Sequence, residues 1–253
     1  MAVNSNPLFH SRYVRSNAYE AQWVFDNLMG PHPLWLMESL CEVMTLERGM
    51  RVLDLGCGTA LTSIFLAREF RVQVWATDWW IDASDNHKRI VAAGVEDLVT
   101  PIHAEAHGLP FERGFFDAIV SVDAYHYFGT SDLYLGSMSD LLRHGGRIGI
   151  VVPGVFAEFG ADVPDHLVPY WEWEFCSFHP PSWWRTHWEK TKQVSVDVAD
   201  SIEDGWKDWL RFQEAAEHHA EGWRKHGGSK SIAMLRADQG ELLGFSRILA
   251  TKD

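Results

Sequence analysis

The chain has 253 residues, 46% of them hydrophobic, enough for one α/β domain with additions or for two small domains. A formal charge of -13, with no basic stripe, argues against a nucleic-acid surface. Three cysteines, Cys41, Cys57 and Cys176, make no disulfide framework and fit a reduced compartment such as the cytoplasm.

The segment MAVNSNPLFHSRYVRS lacks the apolar core of a signal peptide, and no run reaches the length of a membrane span. Residues 1 to 16 read as irregular, with a turn near Tyr13. Asn17 is expected to cap a helix through Tyr19, Trp23, Val24 and Leu28, stopped at Gly30-Pro31. A second helix is expected from Pro33 to Leu46, burying Leu36, Leu40, Val43 and Met44.

The stretch RVLDLGCGTALTS, Arg51 to Ser63, organises the rest of the chain. Val52, Leu53 and Leu55 suit a buried parallel strand, Gly56 and Gly58 a tight turn, and Leu61, Ile64, Phe65 and Leu66 a helix. Glycine in that turn lets a ligand lie against the backbone. A dinucleotide turn reads G-x-G-x-x-G, but Leu61 stands at its third glycine and the acid Asp54 precedes the turn. A turn that binds nothing is the plain alternative.

Residues 72–76 read as a second strand ending at Thr77-Asp78, where a carboxylate can accept both hydroxyls of a ribose. That spacing serves NAD equally. Trp79 and Trp80 come next and can stack on an adenine or serve the core. A helix from Ile81 to Ala93 and a short strand over 98–102 lead to Ala104-Glu105-Ala106-His107-Gly108-Leu109-Pro110-Phe111. Phe115 to Ser121 is a fourth strand, and the chain leaves its carboxyl end through Asp123 and His126, the catalytic candidates. A helix over 131–142 and a fifth strand over 147–152 come after it.

Eight of the 13 tryptophans lie at or beyond Trp171. Residues 155–193 are too long and too apolar for an ordinary loop and read as an inserted cap over the carboxyl end of the sheet. At least one of Trp173, Trp183 and Trp184 is expected to face an acceptor pocket there. A sixth strand over 194–198, helices over 204–222 and 229–238, and an antiparallel seventh strand over 244–250 complete the chain. No metal-ligand cluster is evident, and the adjacent His218 and His219 diverge on a helix.

Four blocks together carry a resemblance: LDLGCG, AEAHGLPF, FFDAIVS and LLRHGGRIGIV. In order and spacing they are similar to the class I S-adenosylmethionine-dependent methyltransferases, of the small-molecule type. That resemblance implies an α/β, Rossmann-like, doubly wound sheet of seven strands, mostly parallel with the last antiparallel, and a helical cap insertion. It implies one domain over 1–253: leading helices 1–48, a cofactor core 49–154, the cap 155–193 and a C-terminal completion 194–253. The leading helices would cover the active site or only the sheet edge.

The cofactor implied is S-adenosylmethionine, whose ammonium an acidic site can neutralise. Asp54, Gly56, Gly58, Asp78, Trp79 and Ser121 fall on its contacts. Glu105 would meet the adenine amino group, with one methylene more than the family's aspartate, and the Ala106 amide a ring nitrogen. Asp123 or His126 would act on a small-molecule acceptor. An NAD-dependent oxidoreductase and a non-catalytic nucleoside-binding protein of the same fold remain the alternatives.

Overall fold

Val52, Leu53 and Leu55 are all buried in a strand flanked on both sides, so β1 (Arg51–Leu55) reads as a continuous apolar run. The computed structural model describes residues 6–219 and 223–253. Its seven strands lie in one sheet. Beside β1 they are β2 (Gln73–Asp78), β3 (Val99–His103), β4 (Phe116–Val122), β5 (Leu142–Val155), β6 (Val194–Ser201) and β7 (Leu243–Lys252). Their order is β3-β2-β1-β4-β5-β7-β6, with β7 antiparallel to both its neighbours and every other pairing parallel.

Alternate residues of the strands face opposite layers. Val52, Val74, Val120 and Val151 pack under α1 (Ala21–Asn27), α2 (Pro33–Cys41), α3 (Leu61–Phe70) and α4 (Ala83–Ala92), and under two later helices, α7 (Gly205–His219) and α8 (Trp223–Asp238). Leu53, Leu55, Ile119 and Ile150 face α5 (Tyr134–Ser139) and α6 (Pro181–Lys190). The chain leaves β1 towards β2 on one side, and β4 lies on the other. The crevice outside the carboxyl ends of β1 and β4 is therefore the switch point where such sheets bind ligands. Among the described residues no helix is long and apolar enough to cross a membrane.

Several sequence expectations are corrected. Asn17 caps no helix: its side chain both accepts from and donates to the backbone of His10, and α1 starts after Glu20. The second helix ends at Cys41 and not at Leu46, although Leu36, Leu40 and Met44 are buried as expected. His32 caps it, accepting from the Trp35 amide. The helix expected over 131–142 is confined to Tyr134–Ser139, and His144-Gly145-Gly146, ahead of the expected fifth strand, lie inside β5. The helix expected to reach Gly222 is described to His219, and its end lies outside the described residues.

The tryptophan-rich segment divides in two. Residues from Pro181 form α6, whose Trp184 and Trp188 are completely buried against the sheet beside Tyr125, Ile148 and Ile150. Here α6 is the crossover helix from β5 towards β6. Only the part before it, with a short 3-10 turn over Trp173–Ser177, reaches the carboxyl side of the sheet.

Candidate active site

Gly56 and Gly58 adopt left-handed conformations, φ +73° and +53°, as a sharp turn from strand to helix requires. A Cβ on Gly56 would meet Ala124 at 2.5 Å, and one on Gly58 would meet the Met29 sulfur at 2.8 Å. The amides of Gly56 and Cys57 donate to the Thr77 carbonyl, and the Gly58 amide donates to Asp78 Oδ2 at 2.8 Å. A phosphate cradle needs such N–H groups free. In this turn all three are already bonded to the end of β2.

The turn floors a cavity of about 330 Å³ at the carboxyl ends of β1, β2 and β4. Asp78 lies at its edge. Oδ1 accepts from the Trp80 and Ile81 amides at 2.8 and 2.9 Å, while Oδ2 has one bond and keeps room for another donor. Trp79 and Trp80 also line the cavity, both well exposed, and Trp79 stacks on His103 at 5.1 Å. Beside Asp78, past the end of β3, stand Glu105, Ala106 and His107, which also line the cavity. The Glu105 carboxylate is turned onto the backbone and ring of His107, at 3.0 and 2.8 Å, and the ring holds it below the usual carboxylate range. The acidic lining comprises Asp78, Glu105 and Asp123, and among the described residues it includes no Lys or Arg.

Two residues expected at the cofactor are elsewhere. Ser121 is fully buried and donates to the Leu55 carbonyl at 2.7 Å, tying β4 to β1. Asp54 points under α3, where Oδ2 accepts from Thr62 and Ser63 at 2.7 and 2.6 Å. Its Oδ1 is enclosed without a partner, and burial pushes the carboxyl up to about 6. Neither side chain lines the cavity. Both sit where an apolar strand needs a polar anchor, which strand periodicity cannot separate from a ligand contact.

Asp123 is brought to the cavity by an unusual backbone. Its φ is +56°, a conformation that costs a non-glycine residue on the order of 1 kcal/mol and tends to mark functional positions. Its amide donates to the Val151 carbonyl at 2.8 Å, so the strain is fixed at the exit of β4. The carboxylate lies against Gly30, where an added Cβ would come within 2.1 Å of Oδ2. It makes no hydrogen bond to a described residue, and burial pushes it up to about 7.

A second cavity, of about 180 Å³, opens on the other side of Asp123. Met29, Gly30, Pro31, Asp123 and Tyr127 line both. His126 lines only the second. It is 2% exposed, its Nδ1 has no partner, and burial pushes it down to about 3. The two catalytic candidates therefore meet, but at the smaller cavity. Glu174, Phe175 and Phe178 come from the tryptophan-rich segment, and Trp209 and Gln213 from α7. Trp173, Trp183 and Trp184 line neither cavity, contrary to expectation. Trp183 is sandwiched between His179 and His187, and Trp173 is 81% exposed.

Sequence reasoning missed Gly30, Phe175, Phe178, Trp209 and Gln213. Gly30-Pro31 was visible only as a helix stop, although it partitions the two cavities. The others belong to segments far apart in the chain, and no local pattern brings them together.

A glycine turn closed on the end of β2 and a cavity at the switch point belong to a Rossmann-like seven-stranded sheet. Residues 52–146 match the family model described as methyltransferase domain. The fatty-acid O-methyltransferase of Mycolicibacterium smegmatis is 33% identical over 129 residues, 49% of this chain and 41% of that protein. The chain matches less than half the length of the curated relatives at the head of the comparison. Among solved structures, phosphoethanolamine N-methyltransferase 2 of Haemonchus contortus, bound to S-adenosyl-L-methionine, aligns over 99% of this chain and 60% of its own. The TM-score is 0.75 at 18% identity. The cyclase SpnF aligns over 90% of this chain and 84% of its own, with a TM-score of 0.69 at 16% identity. The fold is thus shared by proteins named for different reactions, and activity has to be argued from the site.

Proposed function

We propose that the protein transfers a methyl group from S-adenosylmethionine to a small-molecule acceptor. The observation that carries this reading is the bonded state of the glycine turn. With the Gly56, Cys57 and Gly58 amides spent on Thr77 and Asp78, the turn offers backbone surface without a pyrophosphate cradle. Three carboxylates around the larger cavity favour a ligand with positive charge, which disfavours NAD.

The residues present fit the cofactor. Asp78 Oδ2 keeps acceptor capacity for a ribose hydroxyl, and Trp79 offers an exposed ring at the cavity edge. Glu105 can serve an adenine amino group only by exchanging one of its contacts with His107. When bound, the cofactor supplies an electrophilic sulfonium methyl. The chain's own part is to hold the acceptor in line with that methyl, exclude water and receive a proton where the acceptor must lose one. Asp123 stands between the two cavities and is the residue placed for that proton. Neutral His126 accepts a hydrogen bond from the acceptor. The -13 charge and three cysteines support a cytoplasmic setting and an acceptor other than nucleic acid.

Titration calorimetry tests the cofactor. S-adenosylhomocysteine is expected to bind with NAD and NADP silent; tight NAD binding without a response to S-adenosylhomocysteine would overturn the proposal.

A further inference from the structure

We propose that the acceptor is a compact amine, methylated on nitrogen and held in the second cavity. This rests on the methyl-transfer reading and sharpens it.

The charged side chains described there are both acids, and the donors beside them, Trp209 Nε1, the Tyr127 and Ser231 hydroxyls and the Gln213 amide, carry no charge. Asp123 and Glu174 are carboxylates. His126 is buried with neither ring nitrogen in a hydrogen bond to a described residue, and its enclosed Nδ1 is a polar atom left unpaired. Leaving such groups unmatched costs free energy, so their persistence points to a partner that arrives with the ligand. Gln213 donates one of its two amide hydrogens to the Gly30 carbonyl at 3.3 Å. Lys230, on α8, is turned onto Glu172, and among the described residues no Lys or Arg lines the cavity.

Four aromatic side chains, Tyr127, Phe175, Phe178 and Trp209, line much of the rest, beside aliphatic residues and Ser231. Carboxylates set among aromatic faces suit an organic cation, which gains from both. A protonated amine brings the positive charge that the described lining does not supply. A carboxylic acid would add a third negative group. An alcohol brings one donor and leaves two carboxylates uncompensated. About 180 Å³ limits the acceptor to a small molecule.

The step balances on Asp123. The ammonium form of the acceptor gives one proton to the Asp123 carboxylate. The freed nitrogen lone pair forms the C–N bond to the methyl carbon as the C–S bond breaks. The products are an N-methylammonium ion, a neutral thioether and a protonated Asp123, which returns its proton to solvent.

The test uses the full chain and a panel of small primary and secondary amines, each paired with its isosteric alcohol and carboxylate. Calorimetry with S-adenosylhomocysteine present reads binding, and mass spectrometry with an isotope-labelled methyl donor reads transfer. At least one amine is expected to bind ~10-fold or more tightly than its alcohol and to gain one labelled methyl. Glu174→Gln should weaken that amine by roughly 10-fold while leaving S-adenosylhomocysteine binding unchanged. Asp123→Asn should lose transfer and keep cofactor binding. Alcohols or carboxylates bound or methylated as well as the amines, or no amine bound at all, would overturn the amine proposal alone. Failure of the wild-type chain to bind S-adenosylhomocysteine would overturn the methyl-transfer reading beneath it.

Discussion

The two cavities share Asp123 and are assembled by opposite means. The larger one is made where the chain turns at the ends of β1, β2 and β4, and backbone amides hold its key acid in place. The smaller one is made by side chains from the α1–α2 loop, the end of β4, the segment before α6, and α7 and α8, with His126 Nδ1 left unpaired among the described residues. A site built on strand ends is rigid before the ligand comes. A site with two carboxylates and no cation among its described residues is completed by its ligand. Cofactor binding should therefore survive damage to the second cavity, while acceptor binding should be sensitive to single side chains.

The largest expected effect separates both cavities from the core. Trp184 is fully buried under the sheet and lines neither cavity. Trp184→Ala should cost about 3–5 kcal/mol of stability, as large-to-small changes at buried aromatics do. At a temperature where the variant stays folded, acceptor preference should match the parent. A changed preference with intact stability would return this tryptophan to the acceptor wall.

Asp78 tests the rigid site. Its carboxylate accepts three backbone amides and offers a place for a ribose hydroxyl. Asp78→Ala should weaken S-adenosylhomocysteine binding by about 2–3 kcal/mol, typical of removing bonds to a charged group. The fold should persist in circular dichroism, because the residue stands at a strand end. Parent-like affinity in the variant would make Asp78 a brace for the turn and nothing more.

This contrast also governs how much the sequence reveals. The turn, Asp78, Glu105 and the strands that carry them are legible because each sits at a fixed step from a strand end, where apolar runs break at glycine or acid. Asp54 and Ser121 share those positions yet point inward, since the strand alternates and a one-residue difference selects the opposite face. Tryptophan density marked residues 155–193 as unusual but not its division. Trp184 and Trp188 recur at helical spacing and bury on the sheet, whereas Phe175 and Phe178 reach the cavity from an irregular stretch. The acceptor cavity depends on tertiary contacts between residues as distant as Gly30 and Gln213, which no window of sequence reports.

Asp123 should report its environment through pH. Its carboxyl is raised to about 7 from an ordinary value of 3.8, so the folded state holds a proton that the unfolded state has released across that window. Stability therefore falls as pH rises from about 4 to about 7. Asp123→Asn should remove this loss, gaining about 1–3 kcal/mol at pH 8, with little gain at pH 4. Turnover in the parent should rise through the same window as the carboxylate forms. An amine acceptor sheds its proton with rising pH too, so the stability comparison is the more specific measurement. Glu174 and Tyr127 share the cavity, and His126, pushed down to about 3, stays neutral throughout. An equal gain from Asp123→Asn at both pH values would show that the raised carboxyl is not the cause.

The smallest effect is expected at Trp173. It is 81% exposed and lines neither cavity, although Glu174 beside it lines the second. Exposed side chains away from caps, cavities and networks change stability by about 0.5 kcal/mol or less. Trp173→Ala should stay within that range and leave the KM for the acceptor unchanged. The position is still informative, because an indole next to a cavity-lining carboxylate is one backbone turn from covering a bound cation. If the acceptor's KM rises about 10-fold in Trp173→Ala, the 3-10 turn over Trp173–Ser177 closes on the ligand. The second cavity would then be completed by motion as well as by the acceptor's own charge. An unchanged KM leaves Phe175, Phe178 and Trp209 as the whole aromatic contribution of the segment and α7, fixed before the ligand arrives.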